Sequence, residues 1–360
     1  MGASYDMLSK SLAQKIVDRM MDIIPYNVNL MDKNGVIIAS GDKDRINTLH
    51  LGAKEALEGT SAIEVYEERE GVKAGVNMPI MFNNRSIGVI GITGDPKKVR
   101  AFAELVKVTT ELLIQQEYSI EKYIIRSKLK EEYLYEWLHR KEIYDDEFID
   151  RGRELNINIE EEGYILIIDY KKQYAKNLKK IIEIYFNDEV KIINLNSSRV
   201  CIILNNNIEK NNNLIDDLLT NGKNQINIIV LLKKTDILSK AFYKGISTVN
   251  IAMGLNIKKK IMRDEDAIFY SEIEKSVKNK DVKEILKKIQ GGGEELVETF
   301  NVFISENFER GKTAELLHIH RNTLSYRLAK IEELTGLSFN SSIDMFRLIS
   351  TYIYYNIYSH

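Results

Sequence analysis

The sequence predicts a multidomain α+β protein whose C-terminal domain is entirely helical. The chain has 360 residues, which is more than one compact core usually holds, so two or three domains are expected. Strand-like and helix-like segments alternate in two blocks, one up to about residue 118 and one from about 150 to 265, and only helical periodicity follows from about 271. We therefore predict four segments: a domain over 1–118, a helical linker over 119–150, a domain over 151–270 and a domain over 271–360.

The composition is that of an ordinary globular protein, with 44% hydrophobic and 29% charged residues. The net charge of −2 excludes a uniformly basic nucleic-acid coat but allows a local basic element. The single cysteine, Cys201, lies in the apolar run VCIIL, where we expect a buried structural thiol. Charged residues interrupt the N-terminal apolar segment, and no stretch approaches the ~18 apolar residues of a membrane span. We therefore expect a cytoplasmic protein that does not contact a membrane.

The first block has the pattern of one sheet flanked by helices. Helical spacing of apolar residues predicts helices over 8–24 and about 45–57, and Pro96 is suited to the first position of another helix. The turn sequence DKNG at 32–35 separates two apolar strands and predicts a hairpin, and a second pair of strands meets at the asparagines 83–84. This layout is typical of PAS-like domains that sense small molecules.

A long helical segment without Gly or Pro follows, from Lys97 to Arg151. Its apolar residues recur at near-helical spacing: Phe102, Leu105, Val106, Leu112, Leu113, Ile120 and Ile124. The pattern fits either a helix that faces a core or a coiled coil that joins two copies of the chain, and polar residues at 115–116 and 119 interrupt it. We expect a homodimer.

The middle block reads β-α-β-β-α-β-α, which is the order of a ferredoxin-like fold. Its first strand, ILIIDY, resembles that of diguanylate cyclases, in which an aspartate, here Asp169, helps to bind metal. The hairpin that carries the catalytic carboxylates of those enzymes is replaced here by NSSR at 196–199, and the GGGEE string at 291–295 lies between helices. We therefore predict a degenerate cyclase-like domain. The alternative is a nucleotide-binding or cyclase-type signalling protein.

Other catalytic chemistry is not indicated. The five histidines have no metal-ligand spacing, and no phosphate-binding, dinucleotide-binding or hydrolase motif occurs. We predict no catalytic residue, no metal and no cofactor, and thus a protein that is not an enzyme.

The segment 311–336, GKTAELLHIHRNTLSYRLAKIEELTG, predicts a helix-turn-helix that binds DNA. Leu324, Leu328 and Ile331 give its second helix a buried stripe, and the N-terminal end of such a helix reaches base edges in the major groove. Between Arg310 and Lys330 there are five basic residues and one acidic residue, which favours phosphate contacts. The predicted DNA-contacting residues are His320, Arg321, Asn322, Ser325, Tyr326 and Arg327.

Residues 313–336 closely resemble the helix-turn-helix shared by the purine-catabolism and sugar-diacid regulator families. The strings at 27–42 and 87–96 and the HxGA motif at 50–53 resemble the sugar-diacid recognition domain over about 110 residues. The resemblance implies a transcription regulator that senses glycerate, glucarate, galactarate or a similar hydroxylated acid and controls genes for its catabolism. A sensor of purine-catabolism metabolites is the alternative within the regulators, and the N-terminal strings disfavour it.

A small hydroxy acid needs cationic donors, neutral donors and free backbone N–H groups. The residues that can supply them in the first block are Arg45, His50, Asn77, Gly91, Ile92 and Thr93. The motif RIGxxHEGA of the family is changed at two positions, with Asn47 in place of its glycine and Leu51 in place of its glutamate. If these positions line the site, a small ligand such as glycerate is favoured.

Overall fold

The computed structural model describes residues 8–59, 61–68, 72–186 and 191–358. The chain divides into two compact units, Met1–Lys128 and Leu129–His360. The division falls inside one long helix, so each unit contains a part of it.

The first unit is a five-stranded antiparallel sheet with helices on both faces. Its elements are α1 (Lys10–Met21), β1 (Val28–Asp32), β2 (Ile37–Ser40), α2 (Leu51–Gly59), β3 (Ile63–Val65), β4 (Gly75–Phe82), β5 (Arg85–Thr93) and the first part of α3 (Pro96–His139). The strand order is β2-β1-β5-β4-β3.

Each face of this sheet has its own core. On one face α1 and α3 pack against the strands, through residues such as Ile16, Val106 and Ile90. On the other face α2 contributes Ala53 and Ala56 to a smaller apolar cluster. The site described below lies on the α2 face.

The turn chemistry of the first unit follows the sequence prediction. In the β1–β2 hairpin the Asp32 carboxylate accepts N–H groups of the turn, and Gly35 has a φ of +79°. In the β4–β5 hairpin Asn83 and Asn84 have φ of +47° and +62°, as a two-residue turn that matches strand twist requires. Pro96 is the first residue of α3, as predicted.

One predicted helix is shorter than expected. The segment 45–57 is not one helix: a short 3-10 turn covers Lys43–Arg45, and α2 begins only at Leu51. The reason is the left-handed backbone of Asn47, whose φ of +69° cannot be accommodated within a right-handed helix.

The second unit begins with a five-stranded mixed sheet of order β10-β9-β6-β8-β7. Its elements are α4 (Asp146–Glu154), β6 (Gly163–Tyr170), α5 (Ala175–Tyr185), β7 (Lys191–Asn196), β8 (Arg199–Asn205), α6 (Ile208–Asn221), β9 (Ile226–Lys233), α7 (Leu238–Gly254), β10 (Ile261–Met262) and α8 (Asp264–Val277). The predicted order β-α-β-β-α-β-α is present from β6 to α7, and α5 and α6 cover one face of the sheet. Cys201 is buried in the sheet, and burial raises the pKa of its thiol.

The rest of the second unit is all-helical, as predicted. The helices are α9 (Lys280–Gly291), α10 (Glu294–Ser305), α11 (Arg310–Leu316), α12 (Arg321–Thr335) and α13 (Ser342–Tyr358). The predicted stripe Leu324, Leu328 and Ile331 is buried against phenylalanines of α10. Within the described parts of the chain, no helix has the length and apolarity needed to cross a membrane.

Candidate ligand site and nucleic-acid interface

A row of polar residues crosses the α2 face of the first sheet. Strand register places Ser40, Asn29, Gly91 and Asn77 side by side on four neighbouring strands. The three polar side chains are buried beside an apolar cluster that includes Met31 and Val89. Burying polar groups in an apolar layer costs free energy unless they find partners, so this row needs an explanation.

Asn77 is the member of the row that lacks a partner. Its side chain is only 3% exposed, and no described residue forms a hydrogen bond with its amide. Two glycines make room for it: a Cβ on Gly52 would lie 2.9 Å from its Nδ2, and a Cβ on Gly91 would lie 2.8 Å from its Oδ1. Glycine at positions 52 and 91 therefore leaves space for an amide that has no hydrogen bond with the described protein.

His50 lies beside this amide at the start of α2, and its ring is neutral. The ring Cε1 lies 3.3 Å from the same Cβ position on Gly52. Burial, followed by the positive charge of Arg45, lowers the pKa of His50 to about 4. Its Nδ1 accepts the N–H of Ala53 over 3.1 Å, so the proton is on Nε2, which is a hydrogen-bond donor.

Arg45 supplies the positive charge of the site. Its Nη1 is buried and has no hydrogen-bond partner among the residues that the structure describes. After burial, its positive charge is the second cause of the lowered pKa of His50. A buried guanidinium nitrogen without a partner is suited to an anionic ligand, because a carboxylate would satisfy both its charge and its donors.

The loop between Arg45 and His50 explains one of the two departures from the family motif. Asn47 adopts the left-handed conformation that glycine adopts most easily and that asparagine tolerates better than other residues. Its Oδ1 also accepts a hydrogen bond of 3.0 Å from Lys10 of α1. Leu51, the other departure, is exposed. The two changes thus concern backbone and surface, and they give no reason to expect a smaller ligand.

The structure separates the predicted residues of β5. Gly91 and Thr93 lie on the same face of the strand as Asn77. Ile92 faces the opposite way, is buried and belongs to the core under α1 and α3. Because side chains alternate along a strand, only the backbone of Ile92 is available to the predicted site, and its part in ligand binding stays a prediction.

Asn29 and Ser40 were not among the residues predicted from the sequence. Both lie in the row, and Ser40 Oγ donates to Asn29 Oδ1 over 2.6 Å. The available signal was a polar residue between apolar neighbours in the buried strand VNLM. Side chains two positions apart on a strand lie on the same face, so Asn29 lies on the same face as the apolar Met31. Asn29 therefore had to face either a core or a site.

The C-terminal helices α11 and α12 form the predicted helix-turn-helix. His318 turns the chain with a φ of +53°, and His320 caps α12 through Nδ1, which accepts the N–H of Asn322 over 3.2 Å. The exposed residues at the start of α12 are Arg321, Asn322, Thr323, Ser325 and Tyr326, and Tyr326 is 70% exposed. The N-terminal end of α12 thus presents polar side chains to solvent, as a recognition helix does to the major groove.

Arg327 does not belong to this exposed face. Its side chain is only 14% exposed, and it forms an ion pair with Glu295 and donates to Thr299 Oγ1 over 3.3 Å. Both partners are on α10, so Arg327 fixes α12 to α10. In this structure Arg327 is therefore paired rather than free for a phosphate, and its predicted DNA contact stays a prediction. Glu295 is the last residue of the GGGEE string, which joins α9 to α10, so the end of that string anchors α12.

The basic patch is smaller than the residue count suggests. Lys312 pairs with Glu309 over 2.8 Å, and Lys330 pairs with Glu333 over 2.9 Å. Of the five basic residues between 310 and 330, only Arg310 and Arg321 have no ion pair within the described chain. These two cations are the best placed for phosphate contacts.

The carboxylate of Asp169 in the middle sheet accepts three hydrogen bonds from side chains of the protein. Arg199 donates to its Oδ2 from Nε and Nη2, over 3.0 and 2.8 Å, and Asn227 Nδ2 donates to its Oδ1 over 2.8 Å. The positive charge of Arg199 thus neutralises the carboxylate of Asp169. Among the described residues, no group of three side chains could hold a metal ion.

Comparison with known proteins agrees with this geometry. Residues 8–137 match the family model for sugar diacid recognition, and residues 296–350 match that of the PucR C-terminal helix-turn-helix domain. An uncharacterized protein of Haemophilus influenzae is 30% identical over 359 residues, which cover 95% of this chain and 97% of that protein. The carbohydrate diacid regulator of Escherichia coli is 27% identical over 372 residues, which cover 94% of this chain and 95% of that protein.

A further relative, the uncharacterized protein YsfB of Bacillus subtilis, is 25% identical over 355 residues, which cover 94% of this chain and 95% of that protein. These similarities extend over both units of the chain, so the relatives share its whole arrangement. The chain belongs to the sugar-diacid (carbohydrate diacid) family of transcriptional regulators, with a PucR-type helix-turn-helix, and is a ligand-responsive DNA-binding regulator rather than an enzyme.

Proposed function

We propose that this regulator senses a small hydroxy acid or sugar diacid of the glycerate, glucarate or galactarate class and controls genes for its catabolism. The observation that carries the proposal is Arg45 Nη1, a buried guanidinium nitrogen without a hydrogen-bond partner among the described residues. Leaving such a group unsatisfied costs about 1–3 kcal/mol. A bound acid removes that cost, because its carboxylate accepts from Arg45, and its hydroxyl groups can bond to the Asn77 amide.

Neutral His50 fits the same ligand. With its proton on Nε2 it donates one hydrogen bond to a carboxylate or hydroxyl oxygen, without adding a second charge. Gly91 and Thr93 at the end of β5 lie on the same face and complete the ligand site that we propose.

A thermal-shift titration of the intact protein tests this proposal. We expect D-glycerate, glucarate or galactarate to raise the melting temperature and Arg45→Ala to abolish the shift. Arg85→Ala is the matched control, since Arg85 is exposed at the β4–β5 turn, and it should retain the shift. If none of these acids shifts the wild-type protein, the ligand class is wrong.

We further propose that Arg321, Asn322, Ser325 and Tyr326 read DNA bases, with His320 capping their helix. Arginine recognises guanine and asparagine recognises adenine through paired hydrogen bonds in the major groove. Replacing Arg321 or Asn322 by alanine should each weaken binding to the operator by about 1–3 kcal/mol. The measurement is the affinity for a selected operator relative to a scrambled duplex, and an unchanged ratio in both variants would contradict the assignment.

We also propose a homodimer that forms through α3. One face of this helix is buried on the sheet, and the other exposes apolar side chains: Phe102, Leu105, Val108, Leu112, Ile120, Tyr123 and Ile124. A long apolar stripe that faces solvent is typical of a surface that binds another protein. Two regulators joined in this way would present two recognition helices to two DNA half-sites.

Sedimentation velocity tests the dimer. Leu112→Glu should give a monomer, because the new charge would be buried in the interface. Lys128→Glu, which lies away from this stripe on the same helix, should remain a dimer. A Leu112→Glu protein of unchanged sedimentation coefficient would contradict the interface.

The segment limits 1–118, 119–150, 151–270 and 271–360 are part of the same proposal. We assign a PAS-like sensor to the first segment and a degenerate cyclase-like domain to the third, as a spacer or dimer-supporting domain. The Asp169–Arg199 pair supports the loss of cyclase chemistry. Incubation with GTP and Mg²⁺ should give no turnover.

A further inference from the structure

The last helix of the described chain, α13, belongs to two packed regions of the second unit. Its middle contributes Leu348 to the core that also contains Leu324 and Leu328 of the recognition helix α12. Its C-terminal part packs against α7 and α8 of the middle domain, which extends from β6 to α8. Because a helix acts as a semi-rigid spacer, α13 links the position of the recognition helix to that of the middle domain.

The contact between α13 and the middle domain is close. A Cβ on Gly254, the last residue of α7, would lie 2.9 Å from Cγ1 of Ile357 and 3.2 Å from the carbonyl oxygen of Asn356. Both distances are shorter than an ordinary van der Waals contact. Glycine at this position therefore allows α13 to approach α7, and a larger side chain there would push the two helices apart.

Glu274 of α8 forms hydrogen bonds with both of the other helices at this contact. Its Oε1 accepts the hydroxyl group of Tyr358, the last residue of α13, over 2.6 Å. Its Oε2 accepts the hydroxyl group of Ser247 on α7, and Lys278 Nζ lies 3.0 Å from Oε1. Burial opposes the ionised form, but these donors outweigh it and lower the pKa of the carboxyl group. Hydrogen bonds to an ionised carboxylate are stronger than those between neutral groups, so Glu274 holds α13 on the middle domain.

The other end of α13 is bonded to the recognition helix. Glu332 of α12 accepts Ser338 Oγ over 3.0 Å and the N–H of Phe339 over 2.7 Å. Asp344, in the first turn of α13, accepts the N–H of Ser338 over 3.2 Å. The loop between the two helices is thus bonded to both of them. A displacement of α13 would therefore move α12 as well.

We infer that Glu274 is a positioning residue for DNA binding, which through α13 fixes the orientation of the recognition helix on the middle domain. The inference rests on the proposed homodimer. The end of α3, the helix on which we place the dimer interface, is buried in the same middle domain through Trp137 and Leu138. In a dimer this arrangement sets the distance and the rotation between the two recognition helices, and these decide which spacing of half-sites they bind.

Binding to duplexes of altered half-site spacing tests this inference. The full chain is titrated with the selected operator, with operators whose half-sites are moved apart in single base-pair steps by up to about five, half a helical turn, and with a duplex that carries one half-site. Glu274→Ala removes the hydrogen bonds, and Gly254→Leu pushes α13 away from α7 without changing Glu274. Glu272→Ala, on the same helix, removes only the exposed ion pair with Lys275 and is the matched control.

We expect the wild-type protein and Glu272→Ala to bind the best spacing about tenfold more tightly than the spacing half a turn away, where the second half-site lies on the opposite side of the duplex. Glu274→Ala and Gly254→Leu should reduce this ratio to about threefold or less, because a loosely tethered domain adapts to several spacings. Both should bind the single half-site as the wild type does, which a general loss of structure would not allow. Glu274→Gln should restore most of the ratio, since its amide can bond to both hydroxyl groups.

An unchanged ratio in both Glu274→Ala and Gly254→Leu overturns the inference alone, and so does loss of half-site binding in both. A wild-type protein that sediments as a dimer but has no spacing preference overturns it as well. If the wild-type protein sediments as a monomer, the proposed dimer fails and the inference fails with it.

Discussion

Arg327 on α12 forms an ion pair with Glu295 on α10. A cation that the sequence predicts to contact DNA is thus directed towards α10 instead. Arg321, one helical turn and a half earlier, has no such partner in the described chain and faces solvent. The two arginines of one recognition helix therefore have different tasks. One holds the helix in place, and the other is free to meet a phosphate or a base.

Salt dependence of DNA binding distinguishes these two tasks. Each phosphate contact contributes about 0.9 to the slope of log affinity against log salt concentration. Arg321→Ala should reduce the slope by about this amount per copy bound, on a duplex of any sequence. Arg327→Ala should leave the slope unchanged and lower the free energy of unfolding by about 1 kcal/mol.

Fluorescence anisotropy over a series of salt concentrations, with urea unfolding of the same samples, gives both quantities. Lys330→Ala is a useful control, because Lys330 is paired with Glu333 and lies further along the helix. A smaller salt slope in Arg327→Ala than in Arg321→Ala would contradict the inward placement.

Neutral His50 gives the first unit a dependence on pH. Its pKa is lowered from 6.5 to about 4, firstly by burial and secondly by the charge of Arg45. The unfolded chain therefore binds a proton near pH 6.5 that the folded chain does not bind until about pH 4. The contribution of His50 to the free energy of unfolding should be complete above pH 6.5 and decline as the pH falls to 4.

Urea unfolding at pH 7 and pH 5 measures this effect. His50→Asn should lose less stability between the two pH values than the wild-type protein does. His318→Asn replaces an exposed histidine whose left-handed backbone asparagine tolerates, and it should behave as the wild type. Equal losses in His50→Asn and the wild-type protein would show that His50 is not buried in its neutral form.

The left-handed backbone of Asn47 predicts the effect of small substitutions there. Asn47→Gly and Asn47→Ala both remove the hydrogen bond with Lys10, so their difference reports on the backbone alone. Asn47→Ala should be less stable than Asn47→Gly by about 1 kcal/mol, because alanine is strained at positive φ. Thermal unfolding measures the difference, and equal stability would mean that the loop adopts another conformation in solution.

Sequence alone predicted those parts of the fold that depend on local chemistry. The turns at 32–35 and 83–84 are fixed by asparagine and glycine, and the stripe of Leu324, Leu328 and Ile331 follows from helical spacing. Properties that depend on which element packs where could not be read from the chain. Arg327 lies near the exposed face by helical angle alone, and only the position of α10 turns it inward.

In the ligand site, too, local sequence predicted some features and the packing of distant segments determined the others. The residue types of Arg45, His50 and Asn77 suggested anion binding, but strand register was needed to place Asn29 beside Gly91 and to turn Ile92 away. Register joins residues that are about sixty positions apart in the sequence, and no local pattern specifies it.

Asn77→Leu offers the most direct test of the central claim, which is that the first unit keeps the Asn77 amide without a protein hydrogen bond so that an acid can bind there. Leucine replaces the amide by an apolar side chain with the same branching at Cγ, which removes the cost of taking the amide out of water. The measurement is the effect of the acid on DNA affinity, together with the melting temperature of the ligand-free protein. We predict that Asn77→Leu melts at or above the wild-type temperature, binds DNA, and no longer responds to the acid. A variant that is less stable and still responds to the acid would contradict the account.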